Sequence, residues 1–324
     1  MTIYTSIVIG AGPAGIATAT ELINKGITPE DIVVLERSSQ VSNMVQTKYP
    51  DEKPVLANYK GKNSECIGEL CITDMTKQDF QFYLQSKINE KSIQVIFNQD
   101  VQKIIKLKNG QWNVVTSSTT YLTNSVFVAI GNMSAPRTID AVIDSITLNL
   151  IHNDIQKITP DLKNILVVGG GDTASEYAQI LTSRGHNVTL SYRKDKFSRM
   201  LPQNQEKLEA LIKTGSVIFL PSSLVLKVKE TQGGASVAFN NASPIEVQGI
   251  VTALGSERPV AYLEKLGISL KTGADEKYAE NEKGGLFYIG DLASGVKGGS
   301  INLAFDSATE AVTEACTLYL DCRS

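Results

Sequence analysis

Along most of the chain, short apolar runs that end in glycine alternate with stretches of helical periodicity. Residues 6–9 form the first run and lead into Gly10, after which residues 16–24 follow a helical pattern. Residues 31–36 form the next run. Short apolar runs bounded by glycine are typical of buried strands, and their alternation with helices favours a parallel sheet. The pattern therefore predicts an α/β protein.

The remaining elements are predicted in the same way. Helices are expected behind the capping box of residues 76–79, over 175–183, over 203–213 and after Ser300. Strands are expected at 93–97, 101–107, 111–117, 119–122, 126–131, 164–168, 187–192, 217–220, 225–228, 236–239, 249–255 and 285–291. Two stretches show no sustained period: residues 37–75 are predicted to be irregular, and residues 132–160 to connect two domains.

The residues after the first apolar run have the spacing of a dinucleotide-binding turn. Gly10 permits a tight turn, Gly12 lets a pyrophosphate approach the backbone, and Gly15 lets the next helix pack against the strand. The N-terminus of that helix offers free N–H groups and a partial positive charge to phosphate. Glu36 ends the second strand, where a carboxylate can accept hydrogen bonds from a ribose diol. The motif predicts a dinucleotide site.

A second copy of this turn, G-x-G-x-x-A, spans residues 169–174 between an apolar run and a helical pattern. The strand after it ends at Tyr192 without an acid; the cations Arg193 and Lys194 follow directly, and Arg199 lies further on. A carboxylate would repel a 2′-phosphate, whereas clustered cations attract it. The second turn therefore predicts an NADPH site. Two dinucleotide modules in one chain favour electron transfer between NADPH and FAD.

Length, charge and cysteine content narrow the class of protein. The chain has 324 residues, enough for two domains, and its formal net charge of −3 argues against a general nucleic-acid binder. No apolar run is long enough to span a bilayer, and a strand begins within a few residues, so no signal peptide is expected. The 4 cysteines show no metal-type pair, which favours a reducing cytoplasm.

Four segments, residues 10–15, 129–131, 169–174 and 290–291, together resemble the thioredoxin-reductase-like flavoproteins in order and spacing. The match covers nearly the whole chain. It implies FAD and NADPH as cofactors, and an α/β fold of two Rossmann-like domains of the three-layer ββα type.

The resemblance also implies a domain arrangement. The FAD-binding domain would be discontinuous, residues 1–134 and 258–324, with the NADPH-binding domain, residues 135–257, inserted into it. A homodimer through the FAD domains is implied, with the two connections near residues 131–138 and 255–259 as hinges.

Cofactor contacts are implied residue by residue. For FAD they are Gly10, Gly12, Pro13, Ala14, Gly15, Glu36, Arg37, Met44, Ala129, Gly131, Gly290, Asp291, Ser300 and Ile301. For NADPH they are Gly169, Gly171, Asp172, Thr173, Ala174, Arg193, Lys194 and Arg199. Residues 192–199 depart from the basic NADPH-binding motif of the family. Tyr192 replaces the histidine that begins this motif, and Arg199 lies one residue later than the motif's last arginine. No metal ligand or catalytic side chain is assigned, since hydride transfer to flavin N5 needs stacking and correct distance.

The reactive cysteines of the related disulfide reductases are missing. No cysteine lies between Cys71 and Cys316, so the Cys-x-x-Cys of thioredoxin reductases is absent. Ala14 stands where bacillithiol-disulfide-reductase-like proteins have a cysteine. Cys66 and Cys71 have the spacing of the glutathione-reductase-like pair but lie in the irregular stretch. We interpret them as ordinary loop thiols in preference to a disulfide beside the flavin, and Cys316 with Cys322 as packing or tail residues.

Without a redox dithiol, the chain resembles the bacterial NADPH:flavodoxin/quinone oxidoreductases, chiefly over residues 190–199 and 129–133, and the thioredoxin-reductase-like ferredoxin/flavodoxin–NADP reductases. The resemblance implies electron transfer from NADPH through flavin to flavodoxin or ferredoxin. Such carriers are usually acidic, and the candidate docking residues are Lys48, Lys53, Lys60 and Lys62. Two alternatives stay open: a disulfide or quinone reductase, with Cys66 and Cys71 in the disulfide version, and a redox-sensing flavoprotein.

Overall fold

A computed structural model describes residues 3–59, 63–132, 135–268, 279–281, 283–294 and 300–323. The chain forms two compact units, one from residues 1–132 and 258–324 and the other from residues 133–257. No helix among the described residues is both long and apolar enough to cross a membrane.

The strands of the two units, in chain order, are β1 (Ile3–Ile9), β2 (Ile32–Leu35), β3 (Val95–Ile96), β4 (Val101–Lys106), β5 (Trp112–Thr116), β6 (Thr120–Val128), β7 (Val142–Ile143), β8 (Ile151–His152), β9 (Asn164–Val168), β10 (Asn187–Ser191), β11 (Val217–Leu220), β12 (Val225–Thr231), β13 (Gly234–Phe239), β14 (Ile245–Val247), β15 (Gly249–Thr252), β16 (Ala279–Glu280) and β17 (Leu286–Tyr288). The helices are α1 (Pro13–Asn24), α2 (Asn43–Lys48), α3 (Lys77–Glu90), α4 (Asp172–Ser183), α5 (Pro202–Lys213), α6 (Val260–Lys265) and α7 (Ile301–Leu318).

The first unit has three layers. Its main sheet has the order β16-β17-β6-β1-β2-β3, in which all neighbours except β16 are parallel. Side chains alternate across β1, because successive residues of a strand point to opposite faces. Val8 packs with helices α1, α3 and α7, whereas Ile7 and Ile9 pack with Val114 of the β4–β5 hairpin and with α6.

The second unit repeats this arrangement. Its parallel sheet has the order β11-β10-β9-β15-β8, and a separate sheet has the order β14-β13-β12-β7. In β9, Ile165 and Val167 pack with α4 and α5, while Leu166 and Val168 pack with the four-stranded sheet. Two Rossmann-like units with ββα layering confirm the predicted α/β fold.

Strand β6 differs from the prediction of two strands at residues 119–122 and 126–131. Three polar residues, Thr123, Asn124 and Ser125, interrupt the apolar pattern, yet Thr123 and Ser125 are fully buried. The hydroxyl of Thr123 donates to the carbonyl of Ser125, and the hydroxyl of Ser125 lies 2.8 Å from that of Ser6 in β1. Because these hydroxyls are satisfied inside the sheet, the strand continues through them.

Short elements were missed where the sequence shows no period. Helix α2 lies within residues 37–75, and β7 and β8 lie within residues 132–160. Elements of one or two turns, or of two residues, are too short to show a period of 3.6 or 2. Helix α6 and strand β14 were missed for the same reason. The capping residues were predicted well: Thr76 accepts from the N–H of Asp79, and Ser300 accepts from the N–H of Leu303.

The interpretation of the cysteines as unpaired thiols was wrong. Cys66 is bonded to Cys71 and Cys316 to Cys322, with Cα–Cα distances of 5.5 and 5.3 Å. The second disulfide links the last turns of α7 to the C-terminal tail. In that tail, the N–H of Arg323 donates to the carbonyl of Lys25 at the end of α1. Cysteine spacing does not tell whether the backbone turns back on itself, and this return decides whether a disulfide forms.

Candidate functional site

The first candidate site lies where neighbouring parallel strands of the first unit end. Gly10 follows β1, Glu36 follows β2, Ala129 follows β6, and Gly290 lies just beyond β17. These strands are adjacent, so their carboxyl ends meet at one edge of the sheet. In open parallel sheets, ligands bind at this edge. The fold thus brings predicted residues from both ends of the chain together.

The glycines of the first turn serve different purposes. Gly10 has a φ of +105°, and a Cβ added there would lie 2.7 Å from the carbonyl oxygen of Ala129. A Cβ on Gly15 would overlap the carbonyl of Gly10. Both positions are therefore required by packing. Gly12 is the N-cap of α1, and nothing lies within 4 Å of a Cβ placed there. Packing does not require a glycine at this position, so open space lies outside the helix N-terminus.

Glu36 is buried, and its carboxylate stabilises the glycine turn through hydrogen bonds. Its Oε2 accepts from the N–H of Ala11 and its Oε1 from the N–H of Ser38, both at 2.8 Å. A carboxylate has about four acceptor positions, so about two are left for ribose hydroxyls. The sequence predicted only the ribose contact. Support of the turn is a role that the structure shows and that the sequence did not predict.

Ser42 is a residue of this site that sequence reasoning missed. Its N–H donates to the carbonyl of Ala11 at 2.9 Å, and its φ of 52° is left-handed. The residue is 3% exposed, and its Oγ has no hydrogen-bond partner among the residues that the structure describes. A buried hydroxyl left unpaired costs about 1–3 kcal/mol. A serine in an irregular polar stretch gives no sequence signal for this role.

The open space at Gly12 and the unpaired hydroxyl of Ser42 fit a phosphate-bearing dinucleotide. Phosphate oxygens are acceptors only, while a hydroxyl and the first N–H groups of a helix are donors. Helix α1 has 12 residues, long enough for a partial positive charge at its N-terminus. The residues present therefore match the chemistry of the diphosphate that FAD carries.

The other predicted FAD residues lie around the same edge of the sheet or at the ends of nearby elements. A Cβ on Gly290 would lie 2.9 Å from that of Ala14, and the N–H of Gly290 donates to the hydroxyl of Ser307 in α7. Pro13 is the first residue of α1, Ile301 is the first residue of α7, and Ser300 caps α7. Of the remaining predicted residues, Arg37 is exposed, while Met44, Gly131 and Asp291 are half-buried.

The second candidate site repeats this geometry at the ends of β9, β10 and β15. A Cβ on Gly169 would lie 2.5 Å from the carbonyl oxygen of Ala253, which follows β15. Gly171 is the N-cap of α4, and nothing lies within 4 Å of a Cβ there. Ala174 is fully buried and Thr173 half-buried. Again one glycine is required by packing while the space beside the helix N-terminus is open.

An aromatic ring supports the second turn. A Cβ on Gly170 would overlap the ring of Tyr192, which is buried. That ring stacks on Phe197, with centroids 5.8 Å apart, and Phe197 contacts Phe219 at 4.8 Å. The loop between Tyr192 and Phe197 is thereby fixed at both ends. It presents Arg193 and Lys194 to solvent, and Arg199 is also exposed.

Asp172, a predicted NADPH contact, has a structural role in the second unit. Its Oδ1 accepts from the N–H of Leu201 at 2.6 Å and from the amide of Asn204 at 3.1 Å. These residues lie at the start of α5, so the carboxylate ties the first turns of α4 and α5 together. Its negative charge at the N-terminus of α4 also opposes the approach of a phosphate.

Neither of the two histidines belongs to either turn. Burial, with the nearby Lys157, lowers the pKa of His152, and Nδ1 of His186 lies 2.6 Å from the carbonyl oxygen of Leu162. Within the described part of the chain, no group of His, Cys, Asp and Glu is arranged to hold a metal ion. The two sites share an open helix N-terminus, and they differ in the residues after their second strands, Glu36 in the first unit and the exposed Arg193 and Lys194 in the second.

The comparisons with known proteins agree with this geometry. The family model described as pyridine nucleotide-disulphide oxidoreductase matches residues 7–290. A ferredoxin–NADP reductase from Ignicoccus hospitalis is 25% identical, over 90% of this chain and 91% of that protein. The structure of bacillithiol disulfide reductase Bdr from Staphylococcus aureus is similar with a TM-score of 0.82 at 18% identity, covering 98% of this chain and 99% of the other. Thioredoxin reductase from Lactococcus lactis is similar with a TM-score of 0.75 at 20% identity, covering 97% and 98%. The predicted thioredoxin-reductase-like fold is confirmed.

Proposed function

The chain belongs to the pyridine nucleotide-disulphide oxidoreductase family, and we propose that it is an FAD-dependent oxidoreductase that takes electrons from NADPH and passes them to flavodoxin or ferredoxin. The observation that carries the proposal is the pair of glycine turns, one in each unit, with unlike residues after their second strands. The name of the Ignicoccus hospitalis relative, a ferredoxin–NADP reductase, supports the choice of acceptor.

The first turn is proposed to hold FAD. The N-terminus of α1 and the hydroxyl of Ser42 would donate to the diphosphate, and Glu36 would accept from the ribose. FAD, when bound, supplies a hydride acceptor at N5 and can release two electrons singly. The N-terminus of α7, at Ser300 and Ile301, would face the flavin ring, where its partial positive charge favours negative charge on N1 and the C2 carbonyl.

The second turn is proposed to hold NADPH. The N-terminus of α4 at Gly171 would donate to the diphosphate, and Arg193, Lys194 and Arg199 would bind the 2′-phosphate. The stacked rings of Tyr192 and Phe197 hold the loop that carries the first two cations. The proposed domain boundaries follow, with FAD bound by residues 1–134 and 258–324 and NADPH bound by residues 135–257.

Anaerobic titration of the purified flavoprotein tests this function. NADPH should bleach the bound flavin at much lower concentration than NADH, and flavodoxin or ferredoxin should reoxidise it fastest in a panel with quinone, thioredoxin and oxygen. An Arg193→Glu variant should lose most of the preference for NADPH while NADH still bleaches the flavin. A protein without bound FAD, or one that uses both nucleotides equally, would contradict the proposal.

The docking surface for an acidic carrier is proposed at Lys48 and Lys53; Lys60 and Lys62, also expected there, lie outside the described residues. The ammonium of Lys53 lies 4.2 Å from the ring centroid of Tyr49, which holds the side chain in place. Lys48→Glu with Lys53→Glu should slow carrier reduction, most strongly at low salt, and leave ferricyanide reduction unchanged. Lys103→Glu with Lys108→Glu, two exposed changes of equal total charge on and just after β4, is the matched control.

A disulfide reductase is the second candidate, favoured by one observation: Cys66 and Cys71 form a disulfide in the unit proposed to bind FAD. In this version NADPH, through flavin, would reduce that bond, and the dithiol would reduce an external disulfide. Serine at both positions would then abolish NADPH-dependent disulfide reduction and spare ferricyanide reduction.

We also propose that the protein is a cytoplasmic homodimer assembled through its FAD-binding units. Sedimentation equilibrium should give twice the chain mass of 35.1 kDa. A monomer at micromolar concentration would exclude the dimer and leave the two cofactor sites unaffected.

A further inference from the structure

The segment of residues 64–72, here called the clasp, has no regular secondary structure but is firmly anchored. Asp306 of α7 is 4% exposed and accepts from the hydroxyl of Ser64 at 2.6 Å and from the N–H of Ile67 at 3.1 Å. Asn302, one turn earlier, accepts from the N–H of Ile72 at 3.0 Å and donates to its carbonyl at 2.9 Å. Both ends of the clasp are therefore fixed to the first turns of α7.

The middle of the clasp is fixed to helix α1. Glu21, buried in that helix, accepts from the N–H of Glu69 at 2.7 Å. Gly68 lies in the notch between the two helices, where a Cβ would overlap Thr309 of α7 and lie 2.7 Å from Oε1 of Glu21. The clasp therefore bridges α1 and α7.

Ion pairs extend the anchorage to α3. The carboxylate of Glu69 lies 3.0 Å from the ammonium of Lys87 and 2.7 Å from that of Lys91. Burial alone would raise the pKa of Glu69, but hydrogen bonds from Lys91, Asn24 and Lys87 outweigh it and lower that pKa to about 2.

The disulfide closes the clasp between its two anchors. Cys71 is exposed and Cys66 is half-buried, so a thiol reductant can reach the bond from solvent. Residues 67–70, inside the ring that the bond closes, make the contacts with α1 and α3. A short covalent ring restricts the open states of such a segment, and its loss lets the segment detach more often.

We propose that Cys66–Cys71 is a redox modification site at which an external dithiol protein opens the clasp and weakens the binding of FAD. The effect on FAD rests on the proposed function, because α1 and α7 begin at Pro13 and Ile301, the positions proposed to face the diphosphate and the flavin. A bridge between these helices holds their N-termini in fixed relation. In a reducing compartment, accessible disulfides of this kind are typically transient and redox-sensing.

The exchange is an ordinary thiol–disulfide reaction with a dithiol reductant of the thioredoxin class. A thiolate of the reductant attacks the exposed sulfur of Cys71, the bond to Cys66 breaks, and Cys66 leaves as a thiolate that takes up a proton. The second thiol of the reductant then resolves the mixed disulfide. In total, one protein disulfide and one dithiol give a protein dithiol and an oxidised reductant, with two electrons and two protons transferred.

The test compares the oxidised protein with the same protein after dithiothreitol. Thiol trapping and peptide mass spectrometry should find Cys66 and Cys71 bonded before treatment and free after it. Amide hydrogen exchange of residues 64–72 should speed up on reduction, and the dissociation constant of FAD for the deflavinated protein should rise about tenfold. Cys66→Ser with Cys71→Ser should reproduce both effects and abolish the response to dithiothreitol.

The double variant Cys316→Ser with Cys322→Ser is the matched control and should keep the full response. Free thiols in the untreated protein, or unchanged exchange and FAD affinity on reduction, would overturn the proposal. Opening of the bond by NADPH alone, without a dithiol, would also overturn it and favour the disulfide reductase. If FAD does not bind at all, the proposed function fails, whereas trapping and hydrogen exchange still report whether the clasp opens.

Discussion

Replacing Glu36 by alanine should destabilise the first unit even when no cofactor is bound. Both carboxylate oxygens accept a backbone N–H at 2.8 Å, one from Ala11 in the glycine turn and one from Ser38. The side chain is 8% exposed, so water does not freely replace it. The alanine variant therefore leaves two N–H groups without their acceptor in a largely buried position.

The size of the effect follows from these two bonds. A hydrogen bond to a charged group contributes about 1.5–3 kcal/mol, so the pair contributes about 3–6 kcal/mol. Some water can enter the space that alanine leaves, so the lower end, about 3 kcal/mol, is expected. Glu36→Gln keeps one carbonyl acceptor but turns an amide donor towards the other N–H, so its loss should be intermediate, about 1–2 kcal/mol.

Urea unfolding of the deflavinated protein, followed by circular dichroism, measures this effect without the cofactor. The order of stability should be wild type, then Glu36→Gln, then Glu36→Ala, and FAD affinity should fall in the same order. Asp31→Ala, which removes an exposed carboxylate beside β2, is the control and should stay within about 0.5 kcal/mol of wild type. If the alanine variant binds FAD poorly but unfolds like the control, the carboxylate serves the ribose alone and the reasoning fails.

Three further substitutions test other parts of the structure. Gly170→Ala should destabilise the protein by about 2 kcal/mol and raise the KM for NADPH, because the new methyl group overlaps the ring of Tyr192. Adding Tyr192→Leu removes this overlap and should restore part of the lost stability, measured by thermal unfolding. Asp172→Ala should cost about 2 kcal/mol in urea unfolding, since it leaves the N–H of Leu201 unpaired, and Asp172→Asn should cost less. The lowered pKa of Glu69, about 2 against 4.5, means that its contribution to stability is present at neutral pH and is lost as the pH falls from 4.5 towards 2. The hydrogen-exchange protection factors of the clasp, which are corrected for the intrinsic pH dependence of exchange, should therefore fall in that window, and Glu69→Gln should remove this fall.

Much of the fold was predictable because local pattern and packing agree. Gly10 and Gly15 are conspicuous in the sequence, and both are required by contacts within their own strand–turn–helix unit and its neighbouring strand. Ser300 was predictable as a helix cap because a hydroxyl before an apolar helical face has a local role. The role of each of these residues can be recognised from its sequence neighbours or from its place in a motif of known spacing.

Other features depend on contacts between distant segments. Thr123 and Ser125 appear polar in the sequence, but a hydroxyl from β1 satisfies Ser125 only after the sheet has formed. Cys66 and Cys71 pair because Asp306, more than 200 positions later, holds the chain between them against α7. Ser42 reaches the first turn through a backbone bond to Ala11 that no local pattern encodes. Sequence reasoning therefore located the two glycine turns but missed part of what surrounds them.

The two turns are supported by different side chains, which bears on the nucleotide proposed for each. The pairing of β1 with β2 and of β9 with β10 places Glu36 and Tyr192 at equivalent positions, one residue beyond the last paired residues of β2 and β10. Each side chain reaches the middle residue of its turn, Ala11 or Gly170. In the first unit a carboxylate holds that residue by a hydrogen bond from its N–H; in the second an aromatic ring lies against it. The ring needs space, so the middle residue must be glycine there, whereas alanine fits beside the carboxylate. The ring is neutral, so it does not repel a 2′-phosphate as a carboxylate at that position would, and we propose that Arg193, the next residue, attracts it. We propose that the choice between a ribose diol and a ribose phosphate follows from how each turn is held.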